Sequence, residues 1–240
     1  MKAMILAAGF GTRMQPLTLT RPKALIAIKG KTLLERNIGY LQSFGVTEIT
    51  VNVHHFANQI ADFIAENKAF GITIHLSDES DAVLETGGGL KRAQRFLEGD
   101  SPFFLMNVDI LTTLSLEKLL LSHQKNEDAL ATLAVSDRSS SRVLLLDENQ
   151  RMKGWRNEKT QEQILHASPE TPLIPKAFSG VHILSPRIFD FMTQTGKFSI
   201  IDTYLELCQT QAIYGFDHSG DAFLDVGKPE AITTAEALFP

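Results

Sequence analysis

The chain has 240 residues, 43% hydrophobic and 21% charged, which is the composition of a folded domain with a sizeable core. Its 23 Lys and Arg against 28 Asp and Glu leave a net charge of −5 without a long basic run, which argues against nucleic acid as a partner. A single cysteine, Cys208, excludes an intrachain disulfide framework, and no apolar run is long enough to span a membrane, so the expected compartment is the cytoplasm.

Residues 3–8 form an apolar run bounded by glycine, which suits a buried parallel strand ending at Ala8. Gly9 and Gly11 follow, then Thr12 and Arg13 and, beyond Pro16 and Pro22, Lys23. Glycines at a strand end let the backbone turn sharply and bring amide groups against phosphate oxygens. Arg13 adds a planar fork and Lys23 a compact charge, so the stretch reads as a polyphosphate cradle. A dinucleotide fingerprint is excluded because its third glycine position holds Met14, and a P-loop because no Gly-Lys-Ser/Thr follows Gly9. The two prolines disfavour a continuous helix after the turn, so an irregular loop is expected over the ligand.

Residues 24–28 read as a short extended piece ending at Gly30. Helical spacing of Leu33, Leu34, Ile38, Leu41 and Phe44 predicts a helix over 32–44, with Thr32 as N-cap and Gly45 as the stop. A strand over 48–53, a helix over 57–66 and a strand over 71–76 follow. The alternation predicts right-handed βαβ units, hence an α/β fold: a mostly parallel, Rossmann-like twisted sheet with helices on both faces and its ligand at the carboxyl ends of the strands. His54 and His55 are adjacent on extended chain and point opposite ways without a third ligand at metal spacing, so they read as strand-end histidines.

The segment Leu84 to Gly89, LETGGG, precedes a helical pattern through Leu90, Ala93, Phe96 and Leu97, and reads either as a flexible turn or as a close backbone approach with exposed helix-start amides. A strand over 102–106 delivers Asn107, Val108 and Asp109, and a carboxylate at that place can hold a divalent ion against a polyphosphate or simply cap a turn. A leucine-rich helix over 116–121 and strands over 129–136, 142–147 and 152–155 come next, the last two as a hairpin. The polar stretch from about 137 to 175 reads as an insertion over one side of the site within a single domain spanning 1–240, with Trp155 to Lys159 as its notable cluster. A strand over 176–184 containing Ser179 and Gly180 follows, then short helices near Pro186 and over 198–207, and a strand over 212–216. Finally Phe223 to Glu230 sets Asp225 at the end of a short strand before a helix over 229–238.

The stretch LAAGFGTRMQPLTLTRPK resembles the signature of the sugar-1-phosphate nucleotidylyltransferases, LAxGxGTRxxPLTxxxPK, with Ala24 where a proline usually follows. FLDVGKPE resembles that family's W-x-D-V-G-T-P-E, with Phe223 for tryptophan and Lys228 for threonine, and LETGGG is similar to the N-acetylmuramic-acid-1-phosphate uridylyltransferase branch. The resemblance implies the nucleotide-diphospho-sugar transferase fold and synthesis of a nucleotide sugar for cell-envelope carbohydrate. It places Ala8, Gly9, Gly11, Thr12, Arg13 and Lys23 on the triphosphate, with Arg13 and Lys23 catalytic, and Glu85, Thr86 and Gly87 at the nucleobase. It makes Asp109 and Asp225 ligands of Mg2+, although Val108 stands where the family has glycine.

On the sugar side the resemblance implies Asn107, Gly180 and the pair Glu158 and Lys159, the last two only through a degenerate match to an E-K-P motif. The implied partners are a nucleoside triphosphate, with UTP favoured, and a sugar 1-phosphate, without nucleic acid or membrane and with the oligomeric state open. Mannose- or heptose-1-phosphate guanylyl transfer, phosphocholine-type cytidylyl transfer and a catalytically silent nucleotide-binding subunit stay open as alternatives.

Overall fold

An apolar run is stable as a strand when both its faces are covered, and Ala3, Met4 and Ile5 are fully buried in the first strand, β1 (Lys2–Leu6). The computed structural model describes residues 1–165 and 171–240. After β1 come β2 (Ala27–Ile28), β3 (Lys31–Thr32), α1 (Leu33–Ser43), β4 (Glu48–Val53), α2 (Ala57–Glu66), β5 (Thr73–Asp78) and α3 (Glu85–Arg92). The middle of the chain forms α4 (Gln94–Leu97), β6 (Phe103–Asn107), β7 (Ile110–Thr112), α5 (Leu116–Lys125), β8 (Ala129–Ser136), β9 (Arg142–Leu146), β10 (Met152–Asn157) and β11 (Gln163–Leu165). The remainder is β12 (Ile174–Leu184), α6 (Ile188–Phe191), α7 (Ile200–Leu207), β13 (Ala212–Asp217), β14 (Phe223–Asp225) and α8 (Ala231–Leu238).

The main sheet runs β11-β10-β9-β12-β6-β1-β4-β5, with β8 and β13 joined through β12. Its centre, β6-β1-β4-β5, is parallel, as the βαβ pattern predicts, and β12 returns antiparallel to β6, β8 and β9. Successive residues of β1 serve opposite layers: Ala3 and Ile5 pack with Leu34, Ile38 and Ile60 from α1 and α2, whereas Met4 and Leu6 pack with Leu90, Leu97 and Tyr204 from α3, α4 and α7. That alternation is the two-residue period of a strand, and it fixes helices on both faces. Thr32 caps α1 by accepting the Glu35 amide at 3.0 Å, and Gly45 leaves the helix at φ +79°, the left-handed conformation that ends it.

The two strands predicted within the insertion are β9 and β10, and β11 follows them. β9, β10 and β11 extend the main sheet beyond β12, each antiparallel to its neighbour; residues 166–170 of the predicted 137–175 stretch lie outside the described residues. Among the described residues no helix is long and apolar enough to cross a membrane.

Two histidines are built into this core as neutral groups. His123 Nδ1 pairs with Thr132 Oγ1 at 3.0 Å and His182 Nδ1 with the Tyr204 hydroxyl at 2.7 Å, and burial pushes them down to about 4 and about 3. A histidine whose folded pKa is depressed costs stability once pH falls below its unfolded value near 6.5, and the cost stops growing below the folded value. Between about pH 6.5 and 4, therefore, each should remove about 1.4 kcal/mol of stability per pH unit. Urea unfolding at pH 7, 6 and 5 measures this slope, and a flat profile would refute it.

Candidate active site

At the end of β1 the chain turns through Ala7 to Gly11, and two side chains hold the turn in place. The Ala7 amide donates to Asn52 Oδ1 at 2.7 Å, and Thr18 Oγ1 donates to the Gly11 carbonyl at 2.9 Å. Gly11 sits at φ +63°, and a Cβ there would come within 3.0 Å of Thr18 and 3.1 Å of Lys23, so both conformation and space demand glycine. Thr12–Met14 then makes one 3-10 turn, leaving Thr12 and Arg13 exposed, while a second such turn, Lys23–Leu25, buries Lys23. Lys23 ion-pairs with Asp109.

Asp109 lies between β6 and β7, and β7 pairs antiparallel with β14 so that Asp225 is the register partner of Ile110. The Val226 amide donates to the Asp109 carbonyl at 2.9 Å, and Asn37 Nδ2 to the Val108 carbonyl at 2.7 Å, which fixes the backbone beneath both carboxylates. The surrounding protein, and then the like charge of Asp109, raise the Asp225 carboxyl above its usual range, opposed by Lys23, Arg13 and Arg138. The side chain keeps solvent access, so crowding and the neighbouring charge act on it without enclosing it. A Cβ on Gly227 would lie 2.7 Å from Asp225 Oδ1 and 3.1 Å from Arg13 Nη2; glycine there lets the loop arginine approach the second carboxylate. Among the described residues no larger group of metal-ligating side chains forms, and two carboxylates beside cationic groups suit a divalent ion that takes its other ligands from phosphate and water.

A cleft of about 710 Å³ opens at the carboxyl ends of β1 and β6. Ala8 to Arg13 and Lys23 form one wall, Asn52, Glu85 and Thr86 a second, and Asn107, Asp109 and Gly227 the floor by the carboxylates. Here β1 is flanked by β4 and β6, the point at which strand order reverses and where open α/β sheets bind ligands.

Residues 2–239 match the family described as Nucleotidyl transferase. The chain belongs to that family. It is 33% identical over 242 residues to N-acetylmuramate alpha-1-phosphate uridylyltransferase of Neisseria meningitidis, covering 99% of this chain and 98% of that protein. It is 29% identical over 246 residues to Mannose-1-phosphate guanyltransferase of Gibberella zeae, covering all of this chain but only 64% of that longer protein. HddC from Yersinia pseudotuberculosis, solved with GMP-PN, superposes with a TM-score of 0.79 at 24% identity over 100% of this chain and 99% of that one, and so shares the fold.

Within this nucleotidyltransferase fold, Ala8, Gly9, Gly11, Thr12, Arg13, Lys23, Glu85, Thr86, Asn107 and Asp109 border the cleft. Asp225 stands beside Gly227 at its floor, and Gly180 backs Asn107: a Cβ on Gly180, at φ +69° in an irregularity of β12, would lie 2.8 Å from Asn107 Nδ2. Glu158 and Lys159 are not among the residues that line the cleft. They follow β10, where Glu158 pairs with Arg156 at 2.7 Å and Lys159 is exposed.

The glycine segment differs from its sequence reading. Gly87, Gly88 and Gly89 lie inside α3, not before it, and are buried. Side chains there would run into the Phe198 ring, the Gly196 carbonyl and, at 2.6 Å, Glu79 Oε1. The Gly87 and Gly88 amides are taken by the Phe198 carbonyl at 2.9 and 3.2 Å, and Thr86 Oγ1 accepts the Ile200 amide at 2.9 Å. The glycines thus seat α3 against the start of α7, and the two amides that the sequence offered to a ligand are satisfied within the protein.

Asn52 and Glu79 escaped the sequence reading, although an asparagine inside the apolar run ITVNV is a visible signal. Glu79 is fully buried, and its Oε1 accepts Asn52 Nδ2 at 2.7 Å while its Oε2 meets the Leu84 amide at 3.4 Å. Burial raises its pKa against the pull of Asn52. Through Asn52 and Ala7 this chain ties the start of α3 to the glycine loop. Glu79→Ala, which leaves buried donors unpartnered, should cost about 1–3 kcal/mol and raise KM for the triphosphate; Glu79→Gln, which keeps an acceptor, should lose less of both. Denaturant unfolding and steady-state kinetics on both variants check this.

Proposed function

We propose that this nucleotidyltransferase joins a sugar 1-phosphate to UTP, giving a UDP-sugar and pyrophosphate, as one domain over 1–240 in which the strands of the 137–175 stretch border the sugar side. The observation that carries the reading is the approach of Asp109 and Asp225, with Lys23 paired to Asp109 and Arg13 beside Gly227. The chain's full-length similarity to a protein named for uridylyl transfer to N-acetylmuramate 1-phosphate supports UTP and an amino-sugar phosphate.

Backbone amides of Gly9, Gly11 and Thr12 face the triphosphate, and Arg13 spreads its fork over the phosphates. Asp109 and Asp225 would hold Mg2+, which supplies Lewis-acid charge at the α-phosphate. Lys23 leaves Asp109 for a phosphate oxygen when substrate enters. A sugar 1-phosphate oxygen then forms its bond to the α-phosphorus as the bond from that phosphorus to the bridging oxygen breaks, and pyrophosphate departs with the electron pair. The attacking phosphate is already ionised, so no side chain has to remove a proton, and the protein's contribution is position and charge. Glu85 and Thr86 are assigned to the base, and Asn107 and Gly180 to the sugar side. The cytoplasm is the proposed compartment.

Pyrophosphate release with Mg2+, crossing UTP, GTP, dTTP, CTP and ATP with a panel of sugar 1-phosphates, tests the reading. Turnover with UTP and an amino-sugar 1-phosphate is expected. Turnover with GTP and a mannose or heptose phosphate alone would replace the base and sugar while keeping the chemistry. Silence across the panel in protein that still binds triphosphate would overturn the catalytic reading.

A further inference from the structure

The connection after β8 carries an arginine that none of the motifs uses. Arg138 is exposed, yet its guanidinium is held at two points: Nη2 donates to the Phe178 carbonyl at 2.6 Å, and Cζ lies 4.8 Å from the centre of the Phe223 ring. Stacking on an aromatic face fixes the plane of the fork, and only one of its five N–H groups is used by the Phe178 bond. Among the described residues no carboxylate lies within ion-pair distance of it. Its neighbours differ in this respect, since Arg156 is paired with Glu158, and Lys176 with Asp137 and Asp217.

The place of Arg138 matters more than its freedom. Phe223 and Asp225 are two apart on β14, so their side chains share a face. Along that strand Arg13 reaches the Gly227 side of Asp225, and Arg138 sits at Phe223 on the other side. The same guanidinium is anchored to Phe178, two residues before the Gly180 that backs Asn107 at the cleft floor. An in-line displacement needs the attacking and leaving oxygens on opposite sides of the α-phosphorus. With the glycine loop and Arg13 holding the pyrophosphate side, the second anion must enter from the side of Phe223.

We infer that Arg138 binds the phosphate of the sugar 1-phosphate, presenting its unused N–H pair from the stack on Phe223. The assignment rests on the nucleotidyl-transfer reading and gives the cationic role on the sugar side to Arg138, not Lys159.

Steady-state kinetics on wild type, Arg138→Gln, Arg138→Lys and Lys159→Ala test it, with the triphosphate and sugar 1-phosphate that wild type accepts varied in turn. Arg138→Gln removes the charge and the fork while keeping a planar, polar side chain. It should raise KM for the sugar 1-phosphate by about 10- to 100-fold, the size of a lost charge-assisted contact, and leave KM for the triphosphate unchanged. Arg138→Lys should recover part of that loss, because the charge returns without the fork. An unchanged sugar-phosphate KM in active Arg138→Gln, equal rises for both substrates, or the whole effect appearing in Lys159→Ala instead would each overturn the assignment. Wild-type protein that releases no pyrophosphate with any pair would overturn the transfer reading and this inference with it; the other outcomes leave that reading standing.

Discussion

Arg13→Ala should lower turnover by about 100- to 1000-fold, the loss typical of removing one preorganised charge stabiliser, while the folded protein melts where wild type does. The two halves of that expectation have separate causes. Arg13 is exposed on a single 3-10 turn whose backbone is fixed by Gly11, Thr18 and Asn52, none of which touches the guanidinium. Removing it therefore falls within the about ±0.5 kcal/mol of an ordinary surface substitution. On the proposed function its contribution goes to the triphosphate, since the fork lies beside Gly227 and near Asp225. Arg13→Lys should recover only part of the rate, because a point charge cannot make two parallel bonds to one phosphate. Pyrophosphate-release kinetics with parallel thermal melts separate the two halves. A drop in melting temperature matching the drop in rate would mean that the loop, not the charge, had been lost.

Lys23 is the instructive contrast. It is buried and paired with Asp109, so its replacement leaves a carboxylate beside Asp225 without its neutralising partner and, on the proposed function, also removes a phosphate ligand. Nothing in the sequence distinguishes these two cations by burial, for both follow the same loop. The difference arises from Pro22 and the short turn after it, which bend Lys23 inward against β6 and β7.

Where local chemistry decides the backbone, the sequence was legible. β4, α2 and β8 have the bounds their periodicity predicts, and Gly11 occupies the left-handed conformation a tight turn requires. The second carboxylate was placed only through resemblance, because β7 and β14 are three-residue strands whose pairing is long-range and leaves no periodic trace. The glycines of α3 misled for the opposite reason: three in succession disfavour a helix by propensity, and only packing against Phe198 and Gly196 outweighs it. Asn52 and Glu79 were hidden because a single buried hydrogen-bond chain spans two strands and a helix, and no local pattern encodes that.

With Asp109 and Asp225 as the proposed metal ligands, Asp109→Asn and Asp225→Asn should each cost at least about 100-fold in turnover at fixed magnesium, since several kcal/mol of charge stabilisation at the α-phosphate go with a metal ligand. They should part company in stability. Asp109→Asn leaves Lys23 buried without its counter-ion, and breaking such a pair destabilises by up to about 3 kcal/mol here. Asp225 carries a raised pKa through crowding and the charge of Asp109. A carboxylate with a raised folded pKa costs stability at pH above that pKa, and the cost disappears as pH falls through it. At neutral pH, then, Asp225→Asn should melt slightly higher than wild type, and the difference should vanish on acidification. Magnesium titrations of rate, with melts at pH 7 and 4 in the absence of metal, give both readouts. A stabilised but inactive Asp225→Asn beside a destabilised, inactive Asp109→Asn would show two carboxylates held together against their own repulsion for the ion they bind. Equal melting losses in the two would instead make Asp225 a structural partner of Lys23 and Arg13, and an unchanged magnesium titration in either variant would remove it from the metal site.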